Sequence, residues 1–194
     1  MINLVDLRKN GRRPRVHGNG FIQLDLTEET RLHIWGDPRI PRQQVATPIH
    51  DHVFNFKSTV LVGRLINVRY DVTRRLDVVM THEVYQPEIR EGEDTILMPT
   101  RDTVCPFVTG GDLVMAGTLH PTYYMHKQYF HETVATEPSA SVIVKDSPTQ
   151  AQGARTKPRV LVPIGKKPDN EFNRYAADED LLWHIIEQTL ERSK

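Results

Sequence analysis

Two histidines separated by one residue, His50 and His52, have the residue type and the spacing best suited to chemistry in this chain. Residues i and i+2 of a β-strand point to the same side, so a strand here would project both imidazoles together. Two adjacent neutral imidazoles are the arrangement expected of two ligands on one metal ion. A single strand cannot surround a metal, so a third ligand must come from a neighbouring strand.

A second group of histidines lies in the stretch 120–132. His126 and His131 differ in parity, so a regular strand would direct only one of them inward. Spacing alone leaves both residues open as the third ligand. Among the other histidines, we expect His17 at the surface and His33 in the core or at the surface, without a role in the site.

The segment that carries both groups has the pattern of a series of short strands. β-Branched and aromatic residues dominate 54–72, 78–86 and 139–145, and glycine and proline interrupt the chain between these runs. No part of this region shows a helical period. Many short strands with frequent turns predict an all-β domain, a sandwich or a barrel, over 21–146.

The two ends of the chain have a different character. Residues 1–20 are predicted to form a basic N-terminal arm, which either binds phosphate groups or is simply solvated. Residues 147–194 begin with a polar stretch typical of a linker and continue with a short strand at 159–162. The apolar residues of 178–192 recur with a period of 3.6, which predicts a C-terminal helix.

Composition narrows the classes of protein to consider. The chain has 194 residues, 25 basic and 25 acidic side chains, nine histidines and a single cysteine, Cys105. Zero net charge argues against a nucleic-acid-binding protein, and one cysteine excludes a disulfide framework within the chain. No stretch approaches the roughly 18 apolar residues that a membrane span needs. We therefore expect one soluble, cytoplasmic domain without a membrane partner.

Two motifs resemble those of the cupin superfamily. The run Pro48 to His52 is similar to the P-I-H-D-H segment of cysteine-dioxygenase-like proteins. His131, followed by Thr136, Glu137 and Pro138, is similar to their later histidine and T-E-P strand. The resemblance extends over about 21–146. It implies a cupin-type β-barrel, the double-stranded β-helix or jelly roll, and favours His131 over His126 as the third ligand beside His50 and His52.

The first cupin motif normally contains a glutamate ligand, and this chain has Phe56 or Lys57 at that position. Thiol dioxygenases also lack the glutamate and bind Fe(II) through three histidines. The resemblance therefore implies Fe(II), with Mn, Ni and Zn as alternatives, in an oxygenase that acts on a small anionic substrate. Lys57, Tyr124 and Tyr129 lie near the motifs in sequence and are our candidate catalytic residues for orienting that substrate.

A histidine and a tyrosine that assist oxygen chemistry in thiol dioxygenases would fall near Ile143 and Lys145. This difference leaves open whether the chain is an enzyme. The alternative function is a non-enzymatic cupin that binds a small molecule or serves as a structural or assembly module. A metal-dependent isomerase or hydrolase is a third reading, and a homodimer is left open because cupin sheets often pair across a dimer.

Overall fold

The computed structural model describes residues 2–41, 48–89, 94–127, 129–146, 157–168 and 172–192 of the chain. In this part of the chain there are two helices, α1 (Leu4–Lys9) and α2 (Glu179–Glu191), and twelve strands. The strands are β1 (Arg15–His17), β2 (Phe21–Asp25), β3 (Thr30–Trp35), β4 (Phe56–Val62), β5 (Arg64–Thr73), β6 (His82–Ile89), β7 (Asp94–Met115), β8 (Thr122–Met125), β9 (Phe130–Val134), β10 (Ser139–Lys145), β11 (Val160–Pro163) and β12 (Phe172–Asn173).

The strands form two antiparallel sheets. The first sheet has the order β1-β2-β3-β10-β4-β8, and the second has the order β11-β6-β7-β5-β9, with β12 paired to β7. The prediction of an all-β fold with a C-terminal helix is confirmed. No continuous ladder closes either sheet among the described residues, so a cupin barrel stays a prediction.

The β2–β3 part of the first sheet is buried on both faces, because helices cover one face and the second sheet lies against the other. In β2, Ile22 and Leu24 pack with the apolar side of α2, whereas Phe21 belongs to a core that side chains from both sheets share. This explains why β2 is buried almost throughout and does not alternate between apolar and polar residues. The inner face of the first sheet is the one that contributes to the site.

The second sheet contains the longest strand, β7, which sequence reasoning missed. Pro99, Pro106 and the Gly110-Gly111 pair suggested turns there, yet all of them lie within the strand. The β6–β7 ladder shifts register between Glu83 and Tyr85, and the β5–β7 ladder shifts between Arg69 and Tyr70. Such irregularities admit residues that would disrupt a regular ladder.

The basic N-terminal segment is attached to the C-terminal helix. Residues 4–9 form α1, which the sequence analysis did not predict, and its leucines pack on the cluster that includes α2. Arg8 pairs with Asp180, and the Arg13 Nε lies 2.9 Å from Glu179 Oε2. These two arginines are therefore engaged by α2. Of the predicted linker at 147–157, residues 147–156 lie outside the described residues. None of the described helices is long and apolar enough to cross a membrane.

Two glycines with nearly the same positive φ provide a matched test of packing in this fold. Gly36 and Gly117 have φ values of +72° and +73°, but a Cβ at Gly36 would overlap the backbone carbonyl of Glu137, whereas space at Gly117 is open. Gly117→Ala should cost about 1–2 kcal/mol of unfolding free energy from the left-handed conformation alone. Gly36→Ala should cost about 1–3 kcal/mol more, measured by urea unfolding. Equal losses would contradict the close approach at Gly36.

Candidate metal centre

Backbone pairing brings the distant histidines together. The segment around His50 lies between the two edge strands of the second sheet, and His50 forms isolated bridges with His131 of β9 and Val160 of β11. The amide of His50 donates to the carbonyl of His131 at 3.0 Å, and the amide of His131 donates back at 2.8 Å. The first ligand candidate is thus fixed beside the third by reciprocal hydrogen bonds, and His52 follows two residues later.

The three side chains converge on one point. A nitrogen from each of His50, His52 and His131 lies within 4.8 Å of the others, close enough to hold a metal ion. The Nε2 atoms of His52 and His131 are 2.9 Å apart. Two nitrogens bound at right angles to one ion at about 2.1 Å would lie about 3.0 Å apart, so this pair already has the spacing of neighbouring ligands.

Hydrogen bonds orient two of the imidazoles with Nε2 available. The Nδ1 of His131 lies 2.8 Å from the side-chain oxygen of Asn67, a fully buried residue of β5. The Nδ1 of His50 lies 2.8 Å from the carbonyl oxygen of Pro48. Both oxygens are acceptors, which favours the proton on Nδ1 and the lone pair on Nε2, although the side-chain nitrogen of Asn19 also lies 3.1 Å from the Nδ1 of His50. Such partners are the usual support of histidine ligands in metal sites.

Burial keeps the three imidazoles neutral. It lowers the pKa of His52 and His131 well below the ordinary value, and the neighbouring histidines lower both further. Burial also lowers the pKa of His50. Only a neutral imidazole can donate a lone pair to a metal, so the environment favours the protonation state that metal binding requires.

The carboxylate between the two histidines has a structural role. Asp51 is fully buried and accepts hydrogen bonds from the backbone amide of Arg159 at 2.7 Å and from its Nε at 2.8 Å. The guanidinium of Arg159 also lies 4.7 Å from the ring centre of Phe130, the residue before His131. This ion pair holds the His50 segment in place between the edge strands.

A cavity of about 240 Å³ opens beside the histidines. Its wall is largely aromatic and apolar, with contributions from both sheets. Its polar lining includes three arginines, one of which is the Arg159 that pairs with Asp51, and two further histidines. Residues of the apolar wall include Phe21, Trp35, Phe54, Phe56, Leu97, Tyr123 and Ile143, and the polar residues include His17, Gln23, Arg31, His33, Thr133 and Arg174. The candidate metal centre therefore faces a space of the size of a small metabolite.

The candidate catalytic residues lie elsewhere. Lys57 and Tyr124 are cross-strand partners of β4 and β8 and are exposed, and Tyr124 hydrogen-bonds to Asp146. Tyr129 is 44% exposed. None of these three residues lines the cavity formed by the described part of the chain, so their catalytic roles stay predictions without a contact to the site. His126, the rival third ligand, is exposed and lies outside the histidine cluster.

Sequence reasoning missed several residues of the cavity. His17 was expected at the surface, but it lines the cavity and stacks on Phe21 with ring centres 4.3 Å apart. His33 also lines the cavity, together with Arg31 and Trp35. The alternation of side chains along a strand could have indicated this, because residues 31, 33 and 35 lie on the same face. Arg174 comes from a distant segment, and no local pattern indicated its position.

No known protein-family model matches this chain, and no curated protein is significantly similar to it. The fold and the site nevertheless define a class in structural terms. The chain is a β-rich protein with two antiparallel sheets, and three histidines close enough to hold a metal ion face a cavity between them.

Asn67 provides a test of the support given to His131. Asn67→Ala removes the acceptor for Nδ1, so the affinity for Zn(II) or Co(II) should fall about 10- to 100-fold, measured by competition with a chelator. Asn67→Asp keeps an acceptor oxygen at the same place and should retain most of the affinity. An Asn67→Ala protein that folds and binds metal as tightly as the parent would contradict the role assigned to Asn67.

His33 should make stability depend on pH. Burial, followed by the charge of Arg31, lowers the pKa of His33 from 6.5 to about 3. Between pH 6.5 and about pH 3, the imidazole of His33 is protonated in the unfolded chain and neutral in the folded chain. The free energy of unfolding therefore falls as the pH is lowered through this range. His33→Gln should reduce the slope of unfolding free energy against pH by about 1.4 kcal/mol per unit in urea titrations. An unchanged slope would show that His33 is protonated in the folded chain.

Proposed function

We propose that the chain is a metal-binding cupin and an Fe(II)-dependent oxygenase that acts on a small anionic substrate. The observation that carries this proposal is the convergence of three neutral imidazoles on one point at the wall of a cavity. His50, His52 and His131 would hold the ion. Three ligands leave two or three positions open, and an Fe(II) ion held by these histidines would supply oxygen chemistry beside a bound substrate.

The donor set fits this ion. Imidazole nitrogen suits Fe, Zn, Ni and Cu, and none of the three ligands carries a charge, so the site would keep the full 2+ charge of the metal. An anionic substrate is attracted by that charge more strongly in a cavity than in open water. Arg31 and Arg174, which line the same cavity, support an anionic substrate independently of the metal.

The wall of the cavity serves the reaction by excluding water. Phe21, Trp35 and Phe56 line the cavity, and each exposes less than a tenth of its surface. A small molecule that enters would replace water along this wall and would be held by polar groups at few points. This arrangement favours binding of a compact substrate with one charged part and one less polar part.

One observation favours the alternative of a non-enzymatic cupin. Lys57, Tyr124 and Tyr129, the residues expected to orient a substrate, have no contact with the cavity in the described part of the chain. A protein that binds a metal and a small molecule without turnover needs no such residues. The alternative predicts metal uptake and ligand binding but no consumption of substrate or oxygen.

The test of the proposal is metal content and oxygen consumption after anaerobic reconstitution with Fe(II). The parent protein should hold one metal ion per chain by elemental analysis and should consume oxygen with a small anionic thiol or carboxylate. His50→Ala should lose at least about tenfold in metal affinity, because one of three ligands is removed. His126→Ala is the matched control, and it should leave metal content and oxygen consumption unchanged.

The outcomes separate the candidate functions. If purified protein binds no divalent metal, or if His50→Ala leaves metal uptake unchanged, the proposed metal centre fails. Metal uptake without oxygen consumption supports the non-enzymatic cupin or a metal-dependent isomerase or hydrolase. Reconstitution with Mn(II), Ni(II) and Zn(II) in parallel identifies the ion that supports activity.

A further inference from the structure

The inner face of the first sheet carries a cluster of polar residues at the cavity, separate from the three histidines. Arg31 and His33 alternate along β3 and line the cavity, and Gln23 of β2 is the direct cross-strand partner of His33. Arg174 reaches the same cavity from the segment after β12, and its carbonyl accepts a hydrogen bond from Val16. We call Arg31, His33 and Arg174 the basic subsite.

The charges around the basic subsite do not balance. Arg15 and Arg31 share one carboxylate, Asp25, whose oxygens lie 2.7 Å from Arg15 Nη2 and 2.8 Å from Arg31 Nε. Arg174 adds a third guanidinium without adding an acid. Among the described residues at this place, three guanidinium groups therefore face one carboxylate. Two positive charges remain uncompensated in a partly buried setting.

The protonation behaviour of these groups reflects the imbalance. Burial and the charges of Arg15 and Arg31 lower the pKa of Arg174. Burial also lowers the pKa of Arg31 in spite of the adjacent Asp25. Partly buried cations that repel one another are stabilised by an anion placed between them.

Unsatisfied polar atoms mark the same place. His33 is 7% exposed, and neither of its ring nitrogens has a hydrogen-bond partner in the structure described. The Nε of Arg174 is likewise buried without a partner there. Buried polar atoms are satisfied in the great majority of cases, and both residues line the cavity, so a ligand that draws these side chains toward it would satisfy them. A neutral imidazole offers such a ligand one donor and one acceptor.

We propose that the basic subsite binds the doubly negative head group of a small molecule, either a phosphate monoester or a dicarboxylate. Two guanidinium groups supply the charge and the paired N–H donors that such a group requires. His33 donates a further hydrogen bond and accepts one from a hydroxyl group of the ligand. The cavity of about 240 Å³ limits the ligand to the size of a small metabolite.

The position of the subsite also defines what the metal centre would act on. It shares its cavity with His50, His52 and His131, so the head group would be held at one end and the rest of the molecule directed to the histidines. This second part rests on the proposed function. The binding of a dianion at Arg31, His33 and Arg174 does not, because none of these residues belongs to the histidine cluster.

The experiment is a calorimetric titration of the full chain with inorganic phosphate, succinate and acetate, once after chelator treatment and once after metal loading. Phosphate or succinate should bind at least tenfold more tightly than acetate, because acetate carries one charge. Arg31→Gln and Arg174→Gln should each weaken dianion binding at least tenfold. His33→Phe, which removes both hydrogen-bonding nitrogens, should weaken it at least threefold.

Arg39→Gln is the matched control. Arg39 is paired with Asp37 and does not line the cavity, so its loss should leave dianion affinity unchanged. Circular dichroism shows whether each variant folds, and the shift of the parent's urea midpoint by phosphate provides a second measurement that needs no variant. Equal affinity for acetate and the dianions, or normal binding by folded Arg31→Gln and Arg174→Gln, would overturn the proposal.

Metal content distinguishes failure of this inference from failure of the proposed function. The arginine variants should keep the parent's metal content while losing dianion binding. If the dianion binds and His50→Ala takes up metal normally, the subsite stands and the proposed metal centre falls. If metal binds through the histidines and no dianion binds, the proposed metal centre stands and the subsite falls.

Discussion

The buried ion pair between Asp51 and Arg159 fixes the segment on which the site depends. A carboxylate with no solvent exposure is costly unless its oxygens are paired, and here the backbone amide and the side chain of one arginine satisfy both oxygens. This pair anchors a short irregular segment between two sheet edges. His50 and His52 flank Asp51 on either side, so the position of two candidate ligands follows from the pairing of the residue between them.

The burial of β2 and β3 on both faces explains how polar residues persist inside this fold. The helices cover Ile22, Leu24 and their neighbours on the outer face of the sheet. The apolar core on the outer face therefore forms without any contribution from residues of the inner face. The inner face can therefore carry Gln23, Arg31 and His33 beside aromatic residues. Stability on one side of the sheet permits an unfavourable polar arrangement on the other, where the cavity lies.

The sequence predicted the elements better than the site. Alternation and β-branched residues were enough for β4, β5 and β10, and the helical period was enough for α2. Long β7 was missed because proline and glycine ordinarily end strands, and only pairing with two neighbours shows that they are tolerated. The spacing of His50 and His52 predicted that the two imidazoles lie close together. Arg159 and Arg174 come from distant segments, and only the tertiary structure brings them to the cavity.

The bridges that His50 makes to both edge strands have a mechanical consequence. A metal ion bound by His50 and His131 would act as a crosslink between residues far apart in sequence, at the place where the second sheet is joined by single bridges instead of a ladder. Ions that bind only the folded chain add their binding free energy to its stability. Occupancy of the site would thus set how readily the edges of this sheet separate, and the cavity would be most rigid when the metal is present.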